Sequence, residues 1–213
     1  MGTARLVVCW TPLGHPVRAT LIVIPLKLTS FKQHDEPGLA RDMLVSTRNF
    51  NRACDTLLEL SIITSFVMGA FQQADPEQHK RLGRVYNWRV NRLASQKAMG
   101  AIDPGMWFEG RELQFNRYSL AHFDTQDPHW GWAIIIYYGT FESCTLEFRQ
   151  LKVKVTLRPG DMVMFRGRDV LHEVKDWIRG ERHLLVHFTH SSLWNQAKVE
   201  CHSDPAVWVT CDN

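Results

Sequence analysis

The sequence predicts an α+β protein with a double-stranded β-helix core of the jelly-roll or cupin type and N-terminal helices packed on one sheet. Between residues 113 and 189, short apolar or alternating segments follow one another with turn residues between them, which is typical of a double-sheet barrel. Helical spacing of apolar residues precedes this region. Because 213 residues with 45% hydrophobic composition suit one core, we expect a single domain over 1–213, helical at about 40–100 and a barrel at about 105–195.

The N-terminal part is predicted to contain two strands and two long helices. Residues 5–27 read as two short strands around a turn at 12–16, and the apolar spacing over 51–71 predicts one helix that packs outside a barrel sheet. Asp75 followed by Pro76 has the pattern of a helix N-cap with proline at the first helical position. The second helix is therefore expected to begin there and to run to about residue 97.

The barrel strands can be predicted one by one. Residues 113–122 form a strand that ends at a His-Phe-Asp sequence, and the continuous apolar run at 132–138 predicts a buried strand. Residues 151–157 alternate between apolar and polar, as a half-buried strand does. The turn sequence Arg-Pro-Gly-Asp at 158–161 follows, and 183–189 give a further strand.

Two histidines and one carboxylate stand out in this region. His122 and Asp124 lie at the end of the first barrel strand, and His172 is expected on a strand across the barrel mouth. Two imidazoles and a carboxylate suit Fe(II) with three coordination positions open, so these three are the candidate catalytic residues and metal ligands. Arg182 can bind a carboxylate through two parallel hydrogen bonds. Together the four residues predict a non-haem iron oxygenase that uses 2-oxoglutarate.

Several short motifs accompany these residues. They are the His-x-Asp pair, Gly131-Trp132, Gly-Thr-Phe-Glu at 139–142, Pro-Gly-Asp at 159–161, Arg-Gly at 166–167, His-Glu-Val at 172–174 and Gly-Glu-Arg at 180–182. In this combination, residues 116–194 resemble the TET/JBP family of nucleic-acid-modifying 2-oxoglutarate oxygenases. The resemblance is to its compact lower-eukaryote members, including those common in fungi.

The resemblance implies an activity and its cofactors. Fe(II) would be held by His122, Asp124 and His172, and 2-oxoglutarate by Arg182 with a second contact from Arg117. The implied reaction uses O2 to oxidise the methyl group of 5-methylcytosine in DNA to 5-hydroxymethylcytosine and further products. A base in a duplex must be flipped out to reach such a site.

The resemblance also implies a base pocket. Its candidate substrate-binding residues are Asp127, Val186, Phe188, His190 and, leaving room for the methyl group, Gly105. Side-chain chemistry supports three of them: Phe188 offers a stacking face, Asp127 can accept from an exocyclic amine, and His190 can bond a ring nitrogen. The family also uses an N-terminal asparagine on the base. Asn49 and Asn51 are both candidates, and the sequence does not choose between them.

The second predicted helix is unbalanced in charge. From residue 78 to residue 102 there is no Asp or Glu, whereas six cations occur, namely Lys80, Arg81, Arg84, Arg89, Arg92 and Lys97. This run is either a solvated helix face or a surface that contacts DNA phosphates beside the active site, and the family resemblance favours the second. The net charge of +3 permits a nucleic-acid partner without demanding one.

Cysteine usage predicts the compartment. The five cysteines form no CxxC pair, and no secretory signal is apparent, so we expect a reducing, intracellular compartment and, for a DNA-modifying enzyme, the nucleus. Cys201, His202 and Cys211 match no common zinc spacing and are expected to form a loose tail. No segment reaches membrane-spanning length. We therefore expect a protein that does not bind membranes. A monomer is the expectation for its assembly, although the sequence does not determine it.

Three other functions remain compatible with the sequence. One is demethylation of N6-methyladenine on the same scaffold, because Asp127 suits either exocyclic amine. Another is oxidation of a small molecule, with the basic helix incidental. The third is a cupin-type binding module without turnover, against which the intact triad and the arginine argue. The sequence leaves open the preferred base, DNA or RNA, strandedness, sequence context, the final product and the oligomeric state.

Overall fold

The computed structural model describes residues 2–7, 46–92, 94–103, 105 and 107–200. The described strands are β1 (Gly2–Val7), β2 (Gly110–Phe115), β3 (Ser119–His122), β4 (Ala133–Gly139), β5 (Ser143–Phe148), β6 (Val153–Leu157), β7 (Met162–Phe165), β8 (His172–Val174), β9 (Trp177–Ile178) and β10 (Arg182–Phe188). The described helices are α1 (Thr47–Glu59), α2 (Ser61–Ala74), α3 (Pro76–Arg92), α4 (Ala94–Ile102) and α5 (Ser191–Ala197). The predicted α+β class is confirmed.

The strands build two antiparallel sheets. The major sheet has the order β1-β2-β10-β4-β7, and the minor sheet has the order β3-β8-β5-β6, with β9 paired to β5. Several pairs of strands that follow one another in the chain lie in different sheets, among them β2 and β3, β4 and β5, and β6 and β7. This exchange between two facing sheets is the jelly-roll pattern that the sequence predicted.

The barrel core lies between the two sheets. On β10, Leu184 and Val186 belong to this core, together with Leu146 from the minor sheet. Because side chains alternate between the two faces of a strand, Arg182 and Phe188 lie on the same inner face of β10. The central strand of the major sheet therefore presents a cation at one end of the barrel interior and an aromatic ring at the other.

The helices cover the outer face of the major sheet, as predicted. Val67 and Phe71 of α2 pack in one core with Leu82 of α3, Ile134 of β4 and Trp194 of α5. Burial of these apolar side chains stabilises the layer, at roughly 25 cal/mol per Å² of apolar surface removed from water.

The start of α3 is set by the predicted N-cap. The Asp75 carboxylate accepts from the Gln78 N–H at 2.9 Å through one oxygen and from the Trp132 indole N–H at 2.9 Å through the other. Pro76 is the first residue of the helix. The same side chain therefore begins the helix and fastens it to the residue that precedes β4.

Both predicted long helices are broken. The helix expected over 51–71 is instead α1 and α2, which are bent by 52° around Leu60, and the second helix is α3 followed by α4. The first break was not predictable, because the apolar spacing continues across it without a proline or glycine. As a result α1 packs on α4, through Ala53, Leu57 and Met99, whereas α2 contributes to the core on the major sheet. Among the described residues no single helix is long and apolar enough to span a membrane, although the bent pair α1–α2 would pass by length and composition.

The strand predicted over 113–122 is two strands in different sheets. β2 ends at Phe115, and the chain turns at Asn116, where φ is +49°, before β3 enters the minor sheet. Asn116 is held against Arg182 by two hydrogen bonds of 2.8 Å, one in which its N–H donates to the Arg182 carbonyl and one in which its Oδ1 accepts from the Arg182 N–H. Asparagine tolerates this left-handed conformation better than most residues. The crossover carries the chain from β2, which lies beside β10 in the major sheet, to β3 in the minor sheet.

The other predicted barrel strands are confirmed as β4, β6 and β10, with shifts of one or two residues. Of the two strands expected over 5–27, β1 covers the beginning, and the rest lies outside the described residues. Cys201, His202 and Cys211 also lie outside them. The single domain over 1–213 stays a prediction.

Candidate active site

Three metal-binding side chains converge where β3 meets β8. The strands pair so that His122 lies opposite His172, and Asp124 follows just beyond the end of β3. His122 Nε2 is 3.4 Å from one Asp124 oxygen, and His172 Nε2 is 3.8 Å from the other. One ligand atom from each residue lies within 4.8 Å of the other two, so one metal ion can bind all three. The fold thus brings together the ligand set that the sequence predicted.

Both histidines are oriented by backbone carbonyls. Nδ1 of His122 lies 2.7 Å from the Leu120 oxygen, and Nδ1 of His172 lies 2.9 Å from the Val170 oxygen. A carbonyl only accepts, so Nδ1 carries the hydrogen and Nε2 has the lone pair that a metal needs. Burial lowers the pKa of His172, which favours this neutral form, whereas the hydrogen bond to Asp124 raises the pKa of His122.

A glycine makes room for the ligand carboxylate. A Cβ atom at Gly167 would collide with Asp124 Oδ2. The Gly167 carbonyl also accepts the Asp124 N–H at 2.9 Å. Any larger residue would push the carboxylate out of its position. This contact gives a physical reason for the Arg-Gly sequence at 166–167.

Arg182 is a buried cation, only 1% exposed. Its guanidinium carbon lies 5.2 Å from the centre of the Trp177 ring and 5.9 Å from that of Tyr137, and one nitrogen donates to the Arg117 carbonyl. Nε and Nη1 have no hydrogen-bond partner among the described residues. Burial lowers the pKa of this guanidinium. A buried cation with unsatisfied donors is costly, so the arrangement favours binding of an anion.

The residues present fit Fe(II) and 2-oxoglutarate, the predicted cofactors. Two imidazoles and a carboxylate suit Fe(II) and leave positions open, and the planar fork of Arg182 matches a carboxylate. Arg117, the predicted second contact, is about half exposed, and its guanidinium lies 3.9 Å from Glu112. Its contact with 2-oxoglutarate stays a prediction.

The predicted stacking residue, Phe188, lies on the inner face at the end of β10. Its ring fills the space over Gly110, the opposite residue in β2, where no Cβ atom could be accommodated. The rings of Phe188 and His190 are in edge contact, with 5.2 Å between their centroids. Val186, also on this face, packs on the barrel core. Three of the predicted pocket residues therefore share one end of β10.

Asp127 lies in the loop after Asp124 and is 4% exposed. Burial raises the pKa of its carboxyl well above the ordinary value, and the charges of Asp124 and Glu109 raise it further, against the opposing effect of Arg168. The structure thus brings Asp127 close enough to Glu109, the partner of His190, for their charges to interact.

Glu109 is a functional candidate that the sequence interpretation missed. It precedes β2 and is 1% exposed, and its Oε1 accepts from the His190 backbone N–H and from His190 Nδ1, the latter at 3.1 Å. Its Oε2 has no hydrogen-bond partner among the described residues. The available signal was an acid inside the apolar sequence Trp-Phe-Glu-Gly at 107–110, because a buried carboxylate needs a partner.

A second missed residue, Arg168, fastens the loop that carries Asp124 and Asp127. Its Nη1 donates to the carbonyls of Thr125 and Asp127, both at 2.8 Å, and its Nε donates to His129 Nε2 at 3.1 Å. Hydrogen bonds from a charged donor are stronger than neutral ones. Arg168 therefore ties the β7–β8 connection to the loop beside the triad.

No contact among the described residues joins three further predicted residues to the triad or to the side chains around Asp127 and His190. Gly105 packs against Asp103 and α2. Asn49 and Asn51 lie in the first turns of α1, where the Asn49 N–H donates to the capping Ser46 side chain at 3.2 Å. The base contacts of these residues stay predictions.

The six cations of the second helical region do not form one surface. Arg81 and Arg89 are buried: Arg81 pairs with Glu77 at 3.1 Å, and Arg89 packs on the ring of Tyr86. The expectation that all six face DNA phosphates is therefore wrong for these two, because helical rotation turns them inward. The exposed cations are Lys80, Arg84, Arg92 and Lys97.

One solved structure shares the fold, and others are similar over part of the chain. The structure of NgTET1 in complex with 5mC DNA is similar with a TM-score of 0.54 and 17% identity, covering 76% of this chain and 59% of that chain. A cupin 2 conserved barrel domain protein from Salinispora arenicola has a TM-score of 0.31 and 10% identity, covering 42% of this chain and 69% of that chain. A 2OG-Fe(II) oxygenase family oxidoreductase from Burkholderia pseudomallei has a TM-score of 0.31 and 16% identity, covering 46% and 57%.

These likenesses concern the fold. This chain spans less than two thirds of the length of the NgTET1 chain in that structure. No protein-family model and no curated protein sequence matches the chain. The chain therefore has a TET-like jelly-roll fold, with a metal-binding triad and a buried arginine.

Proposed function

We propose that this protein is an Fe(II)- and 2-oxoglutarate-dependent dioxygenase that oxidises the methyl group of 5-methylcytosine in DNA to 5-hydroxymethylcytosine and further products. The observation that carries the proposal is the triad His122, Asp124 and His172, whose ligand atoms lie within 4.8 Å of one another. The buried cation of Arg182 and the likeness in fold to NgTET1, whose structure contains 5mC DNA, support it.

The residues of the chain bind and orient, and the cofactors supply the redox chemistry. Bound Fe(II) with 2-oxoglutarate and O2 supplies the oxidising power that removes hydrogen from an unactivated methyl group, which no side chain provides. The backbone carbonyls that hold His122 and His172 keep both Nε2 atoms aimed at one point. Arg182 would hold the cosubstrate carboxylate, and the scarcity of water around it strengthens that ion pair.

A flipped base would enter between Phe188 and the loop after Asp124. Phe188 would provide the stacking face, and Asp127 would face the exocyclic amine. N6-methyladenine also carries an exocyclic amine, so it is the second candidate substrate, its oxidised methyl group being lost as formaldehyde. A monomeric nuclear enzyme acting on methylated DNA is part of the same proposal.

Matched DNA duplexes test the proposal. Duplexes containing 5-methylcytosine, 5-methyluracil or N6-methyladenine are incubated with Fe(II) and 2-oxoglutarate, and products and succinate are measured by mass spectrometry. Asp124→Ala and His172→Ala should abolish turnover and iron binding while the circular dichroism spectrum stays unchanged. Asp176→Ala, which removes an exposed carboxylate near β8, is the control. Full activity of the triad variants without bound iron would refute the assignment.

A further inference from the structure

We propose that His129 is a positioning residue for the metal site. As a neutral acceptor it holds the guanidinium of Arg168, which ties the loop that carries Asp124 to the connection that leads to His172, and protonation of His129 loosens this tie. The inference rests on the metal site of the proposed function and not on its DNA substrate. It makes metal binding depend on the charge of a side chain that is not itself a ligand.

Two segments of the chain bring metal ligands to this edge of the barrel. The Asp124 loop, residues 123–131, follows β3, and the β7–β8 connection, residues 166–171, leads directly into His172, the first residue of β8. One backbone hydrogen bond joins them, since the Asp124 N–H donates to the Gly167 carbonyl at 2.9 Å. The positions of Asp124 and His172 relative to each other therefore depend on how firmly the two segments are held together.

Arg168 is the side chain that crosses between these segments. Its Nη1 donates to the carbonyl oxygens of Thr125 and Asp127, both at 2.8 Å, and to the Ser191 hydroxyl at 3.4 Å. Its Nε donates to His129 Nε2 at 3.1 Å. Contacts on two edges of the planar guanidinium restrain its orientation, so His129 helps to aim Arg168 at the two carbonyls.

The partners of His129 determine which ring nitrogen carries the hydrogen. A guanidinium only donates, so Nε2 of His129 must accept from Arg168. Nδ1 lies 2.5 Å from Asp169 Oδ1, and an ionised carboxylate only accepts, so Nδ1 must donate. Both contacts require the same neutral tautomer. The Asp169 side chain is only 9% exposed, and scarce water makes its hydrogen bond electrostatically stronger.

Protonation of His129 would remove the contact with Arg168. The His129 side chain is 55% exposed, so solvent protons reach it, and histidine changes its charge near neutral pH. A hydrogen on Nε2 would meet the Nε hydrogen of Arg168, and two like charges would face each other across 3.1 Å. The charged side chains that contact the ring are Arg168 on one side and Asp169 on the other. One edge of the guanidinium would then lose its acceptor.

The tautomer of His129 can be measured directly. Nitrogen-15 NMR of the full chain, with diamagnetic Zn(II) bound and in mildly alkaline buffer, should show the ring hydrogen on Nδ1. The spectrum of His129→Gln identifies the signal, because only that ring is missing. A wild-type ring with its hydrogen on Nε2 would overturn the inference.

Metal affinity gives the second readout, by calorimetric titration with Zn(II) in near-neutral buffer. Arg168→Met should weaken binding by about tenfold, within the range for residues that orient metal ligands, and His129→Leu by about fivefold, the value of one hydrogen bond. His129→Gln should stay near wild type, because its amide offers one donor and one acceptor. Arg158→Met, which removes an exposed arginine in the β6–β7 turn, is the matched control.

The pH dependence of metal binding isolates the charge of His129. The metal ligands themselves take up protons, and the Asp127 carboxyl interacts with the charge of Arg168, so the wild type is compared with His129→Gln at each pH. The amide cannot be protonated. The affinity of His129→Gln relative to wild type should therefore rise by up to about fivefold as the buffer becomes mildly acidic. A constant ratio would overturn the inference.

The outcomes separate this inference from the proposed function. A wild-type protein that binds no metal would refute the metal site of the proposed function and this inference with it. If the wild type binds Zn(II), and folded His129→Leu and Arg168→Met bind it equally well, only this inference fails. If Arg168→Met does not fold, the tautomer and the comparison of His129→Gln with His129→Leu decide.

Discussion

Arg182 holds a positive charge where almost no water reaches it. Its close neighbours include the rings of Trp177 and Tyr137 and the thiol of Cys144. A buried cation without a counter-charge destabilises the protein, because the desolvation of the charge is uncompensated. Binding of an anion removes that penalty, so the affinity for a carboxylate and the stability of the barrel are linked at this residue.

Replacing Arg182 by lysine tests the carboxylate site. Arg182→Lys keeps the charge and loses the planar fork, so binding of 2-oxoglutarate should weaken by about 1.5–3 kcal/mol, the range for a hydrogen bond to a charged group. Calorimetric titration of the metal-loaded protein measures the change. Arg179→Lys, at an exposed arginine, is the control, and Arg117→Ala should have a smaller effect. An unchanged affinity would place the cosubstrate elsewhere.

Phe188 offers a second test at this scale. Phe188→Ala should weaken binding of a 5-methylcytosine oligonucleotide by about 1–3 kcal/mol, the range for a base stacked on an aromatic ring. Uptake of metal and 2-oxoglutarate should not change. Gly110→Ala should reproduce the loss by displacing the ring. Equal DNA affinity of the wild type and Phe188→Ala, measured by fluorescence anisotropy, would make Phe188 an ordinary core residue.

Residues with a local chemical pattern could be predicted, and residues that act across the fold could not. His122 and Asp124 form a recognisable pair in the chain. Glu109 and His190 are separated by 81 positions, and no periodicity relates them. Gly167 has no chemistry of its own, and the need for a glycine there is apparent only beside the Asp124 carboxylate.

At the scale of secondary-structure elements, α3 combines two kinds of surface. Its buried arginines, Arg81 and Arg89, pack against the helical layer, while Lys80, Arg84 and Arg92 face outward. The sequence located the charged helix and its N-cap correctly. It did not separate inward from outward cations, because the long stems of arginine pack on apolar surface almost as readily as they extend into water.

The outward cations carry the DNA-surface prediction. Reversing Lys80, Arg84 and Arg92 to glutamate should weaken oligonucleotide binding and flatten its dependence on salt, because fewer counterions are released. The triple reversal leaves the buried Arg89 intact, so the fold should persist. A double reversal of Lys152 and Lys154, exposed cations on the minor-sheet side, is the control. Identical salt slopes for the triple variant and the wild type would show an ordinary solvated helix face.

At the scale of the whole molecule, the helical layer and the barrel share a buried histidine. His187 faces the helices from β10, is 0% exposed and meets Phe108 edge-on with 6.0 Å between the ring centroids. Burial, and then the charge of Arg111, lowers its pKa to about 3. The packing of helices on a sheet was predictable from helix and strand periodicity. The buried histidine between them was not, since histidine is intermediate between the residue types that are mostly buried and those that are mostly exposed.

This histidine makes stability depend on pH. The pKa of His187 in the folded protein lies below the ordinary value of 6.5. Between these two values the histidine is protonated in the unfolded chain but not in the folded protein. Above pH 6.5 the neutral histidine should not reduce the free energy of unfolding. Below that pH the free energy of unfolding should fall as the pH decreases toward 3, by up to about 1.4 kcal/mol per pH unit. Urea unfolding of the wild type and His187→Leu across this window measures the difference. Parallel curves would contradict the prediction.

The two halves of the cofactor site belong to different sheets. The triad lies at the β3–β8 edge of the minor sheet, whereas Arg182 lies on β10 in the middle of the major sheet. A cosubstrate bound to both a metal and Arg182 would therefore act as a non-covalent crosslink between the two layers. Binding of the cosubstrate would stabilise the barrel. Sliding of one sheet over the other would break the contact of the cosubstrate with the metal or with Arg182. The movement that closes the barrel would then also set the distance between the metal and Arg182.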